Sequence, residues 1–126
     1  MNQYPYVATY QPPFPAIDIV LHNSDTQLHT TQLKALLDTG ADGTLIPLMY
    51  LREILAPPIT ESRLRSHWGE WRIVQLFLVE IQIGIMRFPD AFVIGDEQDN
   101  EIVLGRNILN RLNISLNGPA LLTTLR

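Results

Sequence analysis

The chain has 126 residues, a net charge of −4 and no cysteine. That length supports one domain with a real core but not two lobes. The missing cysteines exclude disulfides, thiol catalysis and zinc–thiolate sites. The acidic balance and the lack of a basic cluster argue against a nucleic-acid partner. No apolar run approaches the length that spans a bilayer, so no membrane partner is expected. The start, Met1-Asn2-Gln3-Tyr4-Pro5, has neither a basic region nor an apolar core, so no signal peptide is expected. A cytoplasmic, free-standing protein is the expectation.

Nine prolines spread among short, often alternating apolar runs point to a strand-rich fold. Residues 1–13, rich in proline and tyrosine, read as an N-terminal arm with a short strand at 6–10. Residues 16–22 alternate, with Ile17, Ile19 and Leu21 on one face and Asp18 on the other. Asn23-Ser24-Asp25 supplies turn chemistry. A strand over 27–37 places Leu33, Ala35 and Leu37 on one face and runs into Asp38. Pro47 can open a short helix over 47–55, with Leu48, Leu51 and Leu55 as its buried stripe. Pro57-Pro58 stops it.

Residues 62–84 fit a long hairpin with its tip near His67-Trp68-Gly69-Glu70. Its returning strand carries Trp71, Ile73, Phe77, Val79, Ile81 and Ile83 on one face. A strand follows at 88–94, then an acidic loop from Gly95 to Glu101. Ile102-Val103-Leu104 is a short, fully apolar strand, and 106–112 reads as a short helix. Terminal strands at 114–116 and 121–125 close the chain, within a C-terminal segment 113–126. The sum is an all-β fold, a small closed barrel with one or two short helices.

Asp38-Thr39-Gly40 carries the chemistry. An acid at the end of an apolar strand is partly desolvated. Thr39 offers a hydroxyl to lock the loop, and Gly40 lets another backbone come close. Asp and Gly are also ordinary turn residues, so on the tripeptide alone a plain strand-and-turn reading stays open. One carboxyl group cannot be general acid and general base at once. Asp42, Asp90 and Asp96 lack equivalent surroundings. A catalytic Asp38 therefore requires a second copy of the chain.

Leu33-Lys34-Ala35-Leu36-Leu37-Asp38-Thr39-Gly40-Ala41-Asp42 and Ile102-Val103-Leu104-Gly105-Arg106-Asn107-Ile108-Leu109 resemble the two signature segments of retropepsins, the homodimeric aspartic proteases of retroviruses and their cellular relatives. The resemblance runs from about Pro15 to Leu116. It implies an acid-protease barrel, a homodimer, and hydrolysis of peptide bonds by a water activated between two Asp38 carboxyl groups. It implies no metal, organic cofactor or covalent intermediate. Thr39 would bond across the interface, and Gly40 would sit where substrate backbone passes. Asp42 and Arg106 match positions that form a structural ion pair. Leu36, Ala41, Asp42, Leu45 and Val103 fall at substrate-binding positions. The 62–84 hairpin becomes the flap that closes over bound peptide, with Trp68 and Gly69 at its tip.

The sequence also departs from the viral pattern. The flap tip has one glycine where viral flaps are glycine-rich, and Phe14 stands where viral enzymes carry an arginine. The loop 96–101 is acidic, which should disfavour acidic side chains at the adjacent substrate position. The alternative to a protease is a dimeric binding module on the same fold. His22, His29 and His67 show no metal-ligand spacing.

Overall fold

The computed structural model describes residues 2–65 and 69–126. Ten strands and two short helices follow in order: β1 Asn2–Pro5, β2 Ala16–His22, β3 Leu33–Leu37, β4 Thr44–Pro47, α1 Leu48–Glu53, β5 Pro58–Arg65, β6 Trp71–Ile83, β7 Met86–Asp96, β8 Ile102–Leu104, α2 Arg106–Leu109, β9 Ile114–Asn117 and β10 Leu122–Leu125.

One sheet runs β2-β3-β8-β4-β7-β6-β5, and an extra β2–β6 pairing closes six of these strands into a barrel. Strand β5 stays outside the closure and pairs only with β6, which makes the flap hairpin. Alternation within β2 puts Ile17, Ile19 and Leu21 inside with almost no exposure, as its period requires. Strand β8 lies between β3 (parallel) and β4 (antiparallel), and Ile102 and Leu104 are buried in the same core. Its unbroken apolar run suits a strand inserted between two neighbours.

Several boundaries differ from the sequence reading. Residues 27–32 stay outside β3; 28–30 instead close back on the end of β2, through Asn23 N–H to Leu28 O, the His22–His29 bridge and Thr30 N–H to Leu21 O. Pro47, expected to open the helix, instead ends strand β4 and precedes the first residue of α1. In α1 Leu51 is buried, but Leu55 is 69% exposed and Ile54 takes its place in the core. The cause is the helix end. Ala56 N–H bonds Leu51 O and Leu55 N–H bonds Arg52 O, with Leu55 at φ 53°, a Schellman-type reversal that throws Leu55 outward. In β6, Val79, Ile81 and Ile83 are buried as expected, whereas Trp71 and Ile73 are exposed and Val74 is covered. The strand is longer than the barrel wall, so the face that points inward at Val79 points to solvent beyond it.

The N-terminal arm is more than a surface strap. Its strand is β1 rather than 6–10, and Tyr4 joins the core. Strand β1 pairs with β10, which pairs with β9, in a three-stranded sheet whose edges are β1 and β9. Residues 6–10 contribute a single bridge, Val7 to Phe14. No described helix is long and apolar enough to cross a membrane.

Candidate active site

The parallel pairing of β3 and β8 sets Leu36 beside Val103 and Leu37 beside Leu104, so the two signature segments are neighbours in space. The pairing continues past the strand end, where Asp38 N–H donates to Leu104 O at 3.1 Å. Asp38 is half-buried there. Gly40 N–H donates to its Oδ1 at 2.9 Å, and Ala41 N–H to its backbone oxygen at 3.2 Å. The loop thus wraps its own acid and fixes where one carboxylate oxygen lies, while Thr39 and Gly40 stay exposed.

The start of α2 docks on this loop. Arg106 N–H bonds Ala41 O at 2.8 Å and Asn107 N–H bonds Asp42 O at 3.3 Å. Gly105 makes the approach possible. A Cβ there would sit 2.1 Å from Gly43 O and 2.9 Å from Ala41 O, so only glycine fits against the loop backbone. A Cβ on Gly40 would meet Asp38 Oδ1 at 3.1 Å, tighter than ordinary contact.

The expected ion pair between Asp42 and Arg106 is not made in the single chain. No described ion pair joins them; Arg106 Nη1 instead donates to Thr39 O at 2.6 Å. An exposed ion pair gains little over solvation, whereas a charged donor on a loop carbonyl ties the loop to α2.

Two polar residues given no role above prove central. Thr44 is fully buried; its hydroxyl donates to Asn107 Oδ1 at 2.8 Å and accepts from Gly105 N–H at 3.1 Å. Asn107 Nδ2 reaches on to Phe92 O at 3.1 Å. A threonine leading the apolar run Leu45-Ile46 was the available signal, because a hydroxyl buried in such a run needs a partner.

Leu36, Val103 and Leu45 form one row across β3, β8 and β4. Leu36 shares the Asp38 face of β3, two residues away. It also lines a cavity of about 210 Å³ with Val7, Tyr10, Leu33, Tyr50, Ile102, Lys34 and Glu101. Tyr10 OH donates to Glu101 Oε1, tying the arm to the acidic loop. That bond, with burial and the charges of Glu101 and Asp99, pushes the Tyr10 hydroxyl up to about 12.

Another cavity, about 240 Å³, separates Arg72, Ile73, Val74 and Gln75 of the flap from Leu48, Gly95, Glu97 and Gln98. Nearby, Arg72 lies 4.0 Å from the buried Asp96. The hairpin tip falls between β5 and β6, as its sequence suggested; Gly69 sits there at φ 82°, while His67 and Trp68 lie outside the described residues. Arg65 stacks over Trp71 at 5.6 Å. His22 and His29, seven residues apart, come together as bridge partners at the far end of β2.

Comparisons with known proteins agree with this geometry. No curated protein matches the chain. Among solved structures, the EIAV protease complexed with the inhibitor HBY-793 superposes with a TM-score of 0.59 at 19% identity, covering 78% of this chain and 86% of that one. A retropepsin-like aspartic protease from Rickettsia conorii superposes with a TM-score of 0.67 at 13% identity, covering 98% of this chain and 88% of that one. At these identities the likeness speaks for the fold, which is retropepsin-like. Residues 24–111 match the family described as gag-polyprotein putative aspartyl protease, a span holding both signature segments and the flap, and the chain belongs to that family.

Proposed function

We propose that the chain is a homodimeric aspartic endopeptidase whose catalytic residue is Asp38, one from each subunit. The observation that carries this is the placement of a single half-buried Asp38 at the β3–β8 seam. There Gly40 N–H and the docked start of α2 fix its loop without supplying a second acid. Two such loops meeting across a two-fold axis bring their carboxyl groups together. Like charges in contact cannot both ionise, so the pair holds one proton between them, as established for aspartic proteases in general.

The ionised partner takes a proton from a bound water, which attacks the peptide carbonyl. The protonated partner polarises that carbonyl, and a proton then passes to the leaving nitrogen. Thr39 braces one loop against the other, while Arg106 holds the Thr39 carbonyl from behind. Gly40, Ala41 and Asp42 face the substrate backbone, which binds as an extended strand. Leu36, Leu45 and Val103 receive its side chains. The flap, with Gly69 near its tip, closes from above, and the free edges of β1 and β9 are available to the partner subunit. Acidic substrate side chains are disfavoured beside the loop 96–101.

Incubation with a peptide library between pH 4 and 7, beside an Asp38→Asn variant, tests the reading. Cleavage by the parent and none by the variant is expected. Cleavage by both, or by neither, overturns it; peptide binding without cleavage assigns the fold a binding role instead.

A further inference from the structure

We propose that His22 and His29 form a two-imidazole site for a borderline divalent cation of the Zn²⁺, Ni²⁺ or Cu²⁺ class. It lies at the end of the barrel away from Asp38 and is independent of the peptidase reading. Ala16 pairs with Leu36, near Asp38, while His22 lies six residues further along β2, about 20 Å away at the rise of a strand.

The two rings are brought together by backbone pairing rather than by sequence spacing. His22 and His29 are antiparallel bridge partners, with ring centres 5.4 Å apart and planes tilted by 40°. An ion held tetrahedrally by two imidazoles, at about 2 Å from each nitrogen, puts the ring centres roughly 5 Å apart.

The hydrogen bonding fixes which nitrogens are free. His29 Nδ1 faces Thr30 O at 2.8 Å, and a carbonyl oxygen only accepts, so this nitrogen carries the proton. Gln82 Nε2 donates to Gly84 O, which turns Gln82 Oε1 toward His22 Nε2 at 2.7 Å and obliges that nitrogen to donate too. In the neutral rings the lone pairs therefore fall on His22 Nδ1 and His29 Nε2. Among the described residues no hydrogen bond engages either. One ring N–H held by an amide oxygen and the other nitrogen left open is the arrangement that metal-ligating histidines use.

The loop is organised before any ion arrives. Buried Asn23 donates to Ile54 O and Leu55 O and accepts from Asp25 N–H. Buried Thr30 accepts from Leu21 N–H and donates to Thr31 O. Little ordering cost then remains for the ligands.

No described group of three metal-binding side chains gathers here, so water completes the coordination. Glu80 lies opposite His22 in the β2–β6 register, but Arg87 holds its carboxylate. With imidazoles alone as protein ligands, the site favours transition ions over Mg²⁺ or Ca²⁺, which prefer oxygen.

Calorimetric titration of the full chain with NiCl₂ and with ZnCl₂ at pH 7.5 tests the proposal. One saturable ion per chain is expected, with no response to MgCl₂. Affinity should fall at least tenfold in His22→Gln and in His29→Gln. It should be unchanged in His67→Gln. No saturable binding, binding that survives His29→Gln, or binding lost with His67→Gln overturns the assignment. Should circular dichroism show His22→Gln misfolded, the exposed His29→Gln decides the matter alone.

Discussion

Replacing Gly105 with alanine should pry apart the seam that positions Asp38. The backbone at Gly105 is extended, φ −92° and ψ −177°, which alanine adopts freely, so the cost is steric. The added Cβ would lie 2.1 Å from Gly43 O and 2.6 Å from Gly43 C. Both are backbone atoms with no flexible side chain to yield, so the two segments must part by roughly 1 Å, an overpacking strain of about 1–3 kcal/mol. Parting strains three hydrogen bonds across the seam, from Gly105 N–H to Thr44 Oγ1, Arg106 N–H to Ala41 O and Asn107 N–H to Asp42 O. At about 1 kcal/mol each when lost, they bring the expected destabilisation to about 4–6 kcal/mol. Urea unfolding measures it as a shift in midpoint at constant slope. On the proposed function, a displacement of that size at the Asp38 loop should also lower kcat/KM about 100-fold. Gly118→Ala is the control: a Cβ there meets nothing within 4 Å, and stability should stay within about 0.5 kcal/mol. Should Gly105→Ala match its parent within about 1 kcal/mol and turn over peptide normally, the seam is not what holds Asp38.

Thr44→Val removes the hydroxyl that bridges Gly105 N–H and Asn107 Oδ1, and should cost about 2–3 kcal/mol in the same unfolding assay because a buried N–H is left unpaired. Thr44→Ser should recover most of that loss. Tyr10, raised to about 12 by its bond to Glu101, should be a late-titrating tyrosine in an alkaline absorbance titration. Its folded value lies above the unfolded one, so this bond contributes fully below about pH 10 and is lost as pH rises through 12. Glu101→Gln should bring the late titration back toward 10; an unchanged curve would show that Glu101 is not the cause.

Legibility in the sequence followed local period closely. Strand β2 and strand β8 match their expected bounds, because alternation and a short unbroken apolar run are both local signals. The neighbourhood of Asp38 and Gly105 followed from the two segments, yet their contact is made by parallel pairing, which leaves no local mark. Leu55 and Ile54 exchanged roles because a left-handed residue ended α1 two residues early, something helical spacing cannot register. Trp71 and Ile73 kept the period of β6 but lost the core beneath it, since the hairpin outruns the barrel. Arg106 found the Thr39 carbonyl rather than the Asp42 carboxylate, a choice set by atomic positions and not by charge pattern. The pairing of His22 with His29 depended on how a turn closed, and spacing alone concealed it.

The claim that one active site needs Asp38 from two chains is tested most directly by subunit mixing. Parent chains equilibrated with a tenfold excess of Asp38→Asn chains should keep about a tenth of their peptidase activity, because by mass action most then sit in mixed dimers with a single carboxyl group. Activity per parent chain that is unchanged by the excess, at concentrations where sedimentation shows subunits exchanging, would contradict the account.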